Sequence, residues 1–391
     1  MESVPSAKLD HFAFQKMKRI APNLLSAHRP HEEGDWQARR LPEELAFKLT
    51  NRCNLRCVHC YQWNDQGYHH RLNDSEKHRD LDLAIIDKVL TATQSIKSNV
   101  FLWGGEPLAY RDWDGLIDLL ERADRWTSIC TNGMLIKTRL SSLCRISHRL
   151  EMFVALEGFE SQHDALRGAG SFIRTVNALR SLLNARKDGE YKGEVTVNCV
   201  IQHNMIDHLY RFVCFLEKEG IDAVYLSFPW YISDDTAKMM DDYFERHLSW
   251  LGSSTDMAHT SWHSYTFKLD PEVSDKLGAE LLRIDAETWR IKVRYNPALA
   301  RTEMREFLNG SHRPAQNKTR CLALRSRMDV YPNGDAVSCH LFPELAIGNL
   351  IDAGVSDVWH GDAFNRVRKT LSSCGLMPIC AKCNLLYTRG V

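Results

Sequence analysis

The sequence has no surplus of charge. Fifty lysines and arginines balance fifty aspartates and glutamates over 391 residues, which removes the electrostatic case for nucleic acid as the main partner. It has no uninterrupted apolar run of about 18 residues, the length a membrane-spanning helix needs. Residues 1–20 lack the apolar core of a secretion signal. Internal repeats and low-complexity tracts are also missing, so no repeat architecture is implied. What remains is an ordinary globular composition, 44% hydrophobic and 26% charged. The chain is expected to be cytoplasmic, with no membrane and no nucleic acid among its partners. In that compartment twelve cysteines read as thiols or metal ligands rather than disulfides.

Those cysteines are unevenly spread. Cys53-Asn-Leu-Arg-Cys57-Val-His-Cys60 puts three thiols on one short segment, C-x3-C-x2-C, directly after the apolar run 45–49. Three thiols can hold three irons of a [4Fe–4S] cluster and leave the fourth iron open to chemistry. A structural zinc site is one alternative. Zinc wants four ligands, and His59, wedged between two of the thiols, is poorly placed to complete the set. Unrelated free thiols are the other alternative. Cys321, Cys339, Cys374, Cys380 and Cys383 form a second group near the C-terminus. Cys130, Cys144, Cys199 and Cys214 stand singly in apolar segments and read as small buried hydrophobes.

Residues 1–43 are polar and mixed, and read as an N-terminal extension. From residue 44 onward, short apolar runs alternate with amphipathic stretches of helix length. Strands are predicted at 46–49, 99–103, 127–130, 151–156, 194–201 and 223–228. Helices are predicted near 81–96, 112–124, 137–146, 170–186 and 206–219. This alternation implies parallel strands joined by right-handed crossovers. The fold class expected for 44–235 is α/β, a partial (β/α)6 TIM-like barrel, with ligands at the C-terminal ends of the strands. The cysteine triad follows the first strand and so lies at that end. Residues 236–320 are less regular, with one helix near 235–251, and read as a connecting region. Residues 321–391 read as a small domain. There Asn333-Gly334, between two short apolar runs, signals a β-hairpin, and a helix near 355–372 leads to Cys380-Ala-Lys-Cys383.

The triad resembles the signature of radical S-adenosylmethionine (radical SAM) enzymes, and further motifs follow in that family's order. Gly104-Gly105-Glu106-Pro107 ends the second strand and resembles the family's GGEP element. A Gly-Gly pair lets backbone approach a ligand closely, and Glu106 can accept a hydrogen bond from an ammonium. The resemblance implies that Gly104, Gly105 and Glu106 bind the SAM amino group. Cys130-Thr-Asn-Gly133 resembles the TNG element, a tight turn under the cofactor. Val154-Ala-Leu-Glu-Gly158, followed by His163, Asp164, Arg167 and Gly168, resembles the family's SLDG…HD…RG segment, with Ala155 and Glu157 replacing Ser and Asp. Arg167 matches the arginine that pairs with the SAM carboxylate, a task that suits a planar guanidinium. His59 falls where the family often sets an aromatic beside the adenine. Leu226 or Phe228 is expected on the other ring face.

Cys321, Cys339, Cys380 and Cys383, together with the hairpin, Ile347-Gly-Asn-Leu350 and Val358-Trp359, resemble the SPASM module in its shortened, one-cluster twitch form. The resemblance implies an auxiliary [4Fe–4S] cluster. By count alone a zinc ribbon would also be served. Cys374 could compete for a ligand position, but the C-x2-C spacing favours Cys380 and Cys383.

The resemblance implies SAM and two [4Fe–4S] clusters as cofactors, with a reduced flavodoxin- or ferredoxin-type protein as electron donor. It implies a 5′-deoxyadenosyl radical that removes hydrogen from a substrate C–H bond, and so an oxidoreductase. A ribosomally made peptide, oxidised or cross-linked, is the expected substrate. Dehydrogenation or epimerisation of a small molecule (a sugar, cyclitol or other secondary metabolite) stays open, with a non-catalytic iron–sulfur electron carrier as the remote alternative. Tyr231, Asp234 and Asp235 follow the sixth strand and are the candidate acid–base groups. The competing reading makes them solvated loop residues.

Overall fold

Seven parallel strands make up most of one ten-stranded sheet. The computed structural model describes residue 38, residues 40–252 and residues 257–391; nearly all of the expected N-terminal extension lies outside them. The strands β1 (Glu44–Lys48), β2 (Asn99–Trp103), β3 (Thr127–Thr131), β4 (Leu150–Ala155), β5 (Glu194–Val200), β6 (Ala223–Ser227) and β7 (Lys292–Asn296) pair in chain order, each parallel to the next. Helices Leu83–Ala92, Trp113–Ala123, Ile136–Ile146, Ser171–Lys187 and Leu209–Glu219 fill the crossovers. The six expected strands are all present. β7 comes in addition, from the stretch read as connecting region. It is an edge strand with only Val293 and Tyr295 apolar, so no apolar run marks it.

The C-terminal segment extends the same sheet. β8 (Arg327–Val330) lies parallel to β1 on its other side, with Glu44 opposite Arg327 and Phe47 opposite Val330. β9 (Asp335–Val337) and β10 (Ala346–Asn349) follow antiparallel, and Asn333-Gly334 sits in the β8–β9 turn, as expected. Buried charges fasten this junction. Glu44 pairs with Arg327 of β8 and with Arg389 of the last helix, and Arg327 also holds Asp329 at 2.8 Å. The single helix expected near 355–372 is two, Val355–Trp359 and Asp362–Cys374. Among the described residues, no helix is long and apolar enough to cross a membrane.

Strand alternation sorts side chains between two faces. Leu45, Phe47, Leu102, Ile129, Val197 and Leu226 pack with the helices in the main core, each contributing about 1.5–3 kcal/mol by burial. Ala46, Trp103, Tyr331 and Val337, with Phe101 and Cys130 against them, form a smaller cluster on the other face. Lys48, Glu151 and Thr196 share that second face by parity, which accounts for polar residues inside otherwise apolar strands.

Candidate functional site

The cysteine loop leaves β1 and crosses the C-terminal edge of the sheet. Backbone bonds stitch it to the exit of β2. Gly105 N donates to Thr50 O and Glu106 N donates to Arg52 O, both at 2.8 Å. A Cβ on Gly105 would lie 2.1 Å from the Arg52 carbonyl oxygen, and one on Gly104 (φ +151) 2.6 Å from that of Thr50. The two glycines therefore admit the cysteine loop's own backbone. Val58 N donates to Leu166 O at 2.9 Å, tying the loop to the end of helix Glu160–Arg167.

Donors point at the thiols. Leu55 N lies 3.4 Å and Asn132 Nδ2 3.9 Å from Cys53 Sγ, and Arg167 Nη1 lies 3.7 Å from Cys57 Sγ. Such donors favour a thiolate. Burial opposes them, and pushes Cys53 up to about 12 and Cys57 up to about 11. The metal-free thiols therefore stay protonated at neutral pH, and a metal must draw them into the thiolate form.

Glu106 is buried, and its carboxylate is already engaged. Oε1 accepts from Leu108 N (3.0 Å) and Thr131 Oγ1 (2.7 Å), and Oε2 from Asn132 N (2.8 Å). Burial raises its pKa against the pull of those donors. Glu106 thus clamps the turn after β3, and an ammonium reaching it would share a carboxylate that already has three partners. Asn132 in turn donates to Asn54 Oδ1 at 2.8 Å. The Thr131-Asn-Gly turn is therefore a direct support of the cysteine loop, a role its sequence did not announce.

Arg167 is not a free guanidinium. Its Nε and Nη2 lie 3.2 and 2.6 Å from Glu157 Oε1. Burial works against the Arg167 charge, but the Glu157 carboxylate, by charge and hydrogen bond, more than offsets it. Glu157 Oε2 accepts from Val200 N at 2.5 Å, and Glu157 N donates to His163 Nδ1 at 3.0 Å. His59 Nε2 sits 3.6 Å from Glu157 Oε1, and burial, with Arg167 and His163 nearby, holds His59 neutral. Among the described residues its Nδ1 has no hydrogen-bond partner, and neither has Gln62 Oε1; Gln62 Nε2 reaches Gly104 O at 3.3 Å. Two unpaired buried polar atoms beside three thiols are groups that a bound ligand would satisfy. This donor set fits SAM on an iron–sulfur cluster.

Other expected residues lie elsewhere. Leu226 is fully buried in the helix-side core, and Phe228 packs edge-on against Phe307 at 5.9 Å. Strand parity turns both away from the triad. The ring beside His59 is Phe267, at 5.7 Å, from the stretch read as connecting region. Asp234 and Asp235 are exposed in the first turn of helix Asp234–His247, behind the N-cap Ser233. There they offset the helix dipole, which corrects their acid–base assignment. Tyr231 is half-buried, with Lys268 Nζ 6.0 Å from its ring centroid.

Cys321, Cys339, Cys380 and Cys383 line one cavity, walled by apolar groups such as Leu324, Phe342, Met377 and Leu386. Burial raises the pKa of all four thiols. Cys374 is exposed outside the cavity, its Sγ 3.7 Å from His247 Nδ1. Among the described residues, no three His, Cys, Asp or Glu side chains close around one point as ligands of a single metal ion would. A cluster sets its ligand sulfurs farther apart than a lone zinc does, and thiols spread around a cavity suit it.

Rings join the two sites. Tyr61, next after Cys60, stacks on Tyr265 at 4.4 Å and lies 6.1 Å from Trp230. Trp230 lies 6.4 Å from His340, next after Cys339, and its Nε1 donates to Asn384, next after Cys383, at 2.9 Å. No motif marks Tyr265 or Trp230. Trp230 lies three residues beyond β6, whereas Tyr265 is far from any strand end.

Two parts of the chain match known protein families. Residues 47–227 match the model of the radical SAM superfamily, and residues 321–384 match that of an iron–sulfur cluster-binding domain, SPASM. Mycofactocin maturase MftC of Mycolicibacterium smegmatis is 29% identical over 177 residues, 45% of this chain and 42% of that protein. The antilisterial bacteriocin subtilosin biosynthesis protein AlbA of Bacillus subtilis is 26% identical over 145 residues, 36% of this chain and 31% of that protein. The matches thus span less than half the length of these curated relatives. Streptococcus suis SuiB, solved with its precursor peptide SuiA, superposes with a TM-score of 0.58 over 94% of this chain and 75% of that chain, at 16% identity, which shows a shared fold. The chain belongs to the radical SAM superfamily and carries a SPASM iron–sulfur domain, with SAM, a SAM-binding [4Fe–4S] cluster and an auxiliary [4Fe–4S] cluster as its cofactors.

Proposed function

We propose that the chain is an enzyme that takes a hydrogen atom from a C–H bond of a ribosomally made peptide, with net oxidation or cross-linking as the outcome. Bound SAM on its reduced cluster supplies a 5′-deoxyadenosyl radical for that step. The observation that carries the reading is the juxtaposition of the two cysteine groups. β1 leads into the triad, β8 is hydrogen-bonded to β1, and the hairpin it begins delivers Cys339.

In this reading Cys53, Cys57 and Cys60 hold the SAM-binding cluster, and Cys321, Cys339, Cys380 and Cys383 hold the auxiliary one. The chain's other residues fix and shield the site. Glu106 locks the Thr131-Asn turn beneath the loop, and Glu157 locks Arg167 against Cys57. Arg167 Nη1 keeps a positive edge toward the triad, where it favours anionic groups. His59 Nδ1 and Gln62 Oε1 are open to a bound ligand. The rings of Tyr61, Tyr265, Trp230 and Phe267 exclude water from the space between the two sites, which protects a radical from quenching. A flavodoxin- or ferredoxin-type protein is the proposed electron donor.

A peptide substrate is supported by the relatives. One is named a maturase, one a bacteriocin biosynthesis protein, and SuiB was solved with its precursor peptide. The test is anaerobic incubation of the two-cluster protein with SAM, reductant and a short peptide encoded beside its gene. Mass spectrometry should show loss of two hydrogens per event. Formation of 5′-deoxyadenosine with every such peptide unchanged would move the substrate to a small molecule.

A further inference from the structure

Lys48 ends β1 and is only 1% exposed. Its Nζ lies 2.9 Å from the Tyr68 hydroxyl and 2.9 Å from His69 Nε2. The ring centroids of Tyr331, Tyr68 and Trp103 stand 4.9, 5.2 and 5.7 Å away. Among the described residues, none of these partners is a carboxylate. The acidic group that acts on it is Cys60, the last thiol of the triad.

A buried ammonium without a counter-charge costs several kcal/mol. Contacts with aromatic faces recover part of that cost, and two neutral hydrogen-bond partners recover part of the rest. Burial still draws the Lys48 pKa down to about 7 in the metal-free chain. The anion it lacks is close by. Tyr68 stacks at 6.3 Å on Tyr61, and Tyr61 follows Cys60. Three thiolates outweigh the charge of an oxidised iron–sulfur core, and one-electron reduction adds a further negative charge.

We propose that Lys48 is the counter-charge of the cluster held by Cys53, Cys57 and Cys60, and that it raises that cluster's reduction potential. A fixed cation stabilises the more negative, reduced state over the oxidised one. Tyr68 and His69 aim the ammonium, and β1 sets its place behind the loop. Lys48 is thus a positioning and tuning residue that acts through the cluster without touching substrate. The inference rests on the triad binding a cluster and is independent of what the substrate is.

The test is an anaerobic potentiometric titration of the full chain with both clusters, read by EPR. The signal that changes on adding SAM belongs to the triad. Lys48→Met removes the charge at similar length, and Lys48→Arg keeps it. In Lys48→Met, the reduced-to-oxidised ratio at the wild-type midpoint should fall about tenfold, about 59 mV for one electron. Lys48→Arg should titrate near wild type. An unchanged midpoint in fully loaded Lys48→Met overturns the proposal. If Lys48→Met does not load the triad, normal loading of Lys48→Arg supports the charge, and its failure to load overturns the proposal in favour of packing. Absence of any SAM-responsive signal in the wild type would instead defeat the cluster reading beneath it.

Discussion

Glu157 Oε1 stands 2.6 Å from Arg167 Nη2, with both side chains buried. The pair joins the end of β4 to the end of helix Glu160–Arg167 and sets the guanidinium against Cys57. Removing one partner of such a pair leaves the other charge buried and alone. Glu157→Ala should therefore cost about 3–5 kcal/mol, seen as an earlier denaturation midpoint of the metal-free chain. Glu157→Asp should recover part of the loss. An unshifted midpoint in the alanine variant would show that the pair carries no stability.

Gly105 offers a sharper steric test. Its neighbours are backbone atoms, with Arg52 O at 2.1 Å and Asn51 O at 2.8 Å from a Cβ, and backbone cannot swing aside as a flexible side chain can. Gly105→Ala should displace the cysteine loop and leave the C-terminal site intact. Iron analysis after anaerobic reconstitution should give about eight irons per chain for the wild type and about four for the variant. Full loading of the variant would contradict this account of the glycine.

The C-terminal thiols separate in the same assay. Cys374 lies outside the cavity that the other four line. Cys374→Ser should keep about eight irons, and Cys383→Ser should lose iron toward about four. The reverse pattern would exchange the ligand assignment.

Buried histidines give a pH signature, and His163 and His69 are two of them. Burial, first, and then nearby cations push His163 down to about 3 and His69 well below its usual range. Their folded pKa values lie below the ordinary value of about 6.5, so the unfolded chain takes up protons first as pH falls. Their contribution is complete above about pH 6.5 and is lost as pH falls below it. The melting temperature of the metal-free chain should drop between about pH 7 and about pH 5, and less steeply in His163→Phe. Identical slopes in the two proteins would rule out His163 as a source.

Much of the fold and the motif-bearing residues could be read from the chain, because periodicity and cysteine spacing are local signals. The six apolar strands are of this kind, and so are the triad and the C-x2-C pair. β7 escaped because an exposed edge strand needs no apolar run. Lys48 escaped because one polar residue in a buried strand says nothing until parity shows which face it occupies. The resemblance assigned roles to Glu106, Arg167 and Leu226 by position. Their partners depend on β3, Glu157 and the helix-side core, which only the packed structure brings together. Asp234 and Asp235 carried an ambiguity that sequence could not resolve, since an acidic pair serves a helix start as well as a reaction.

The central claim is that the triad and its surroundings cleave SAM to begin hydrogen abstraction. It is tested most directly by incubating the two-cluster protein anaerobically with reductant and SAM and measuring 5′-deoxyadenosine. The account predicts 5′-deoxyadenosine in the wild type and none in Cys57→Ala. A fully iron-loaded, reduced wild-type protein that forms none, with or without a candidate peptide, would contradict it.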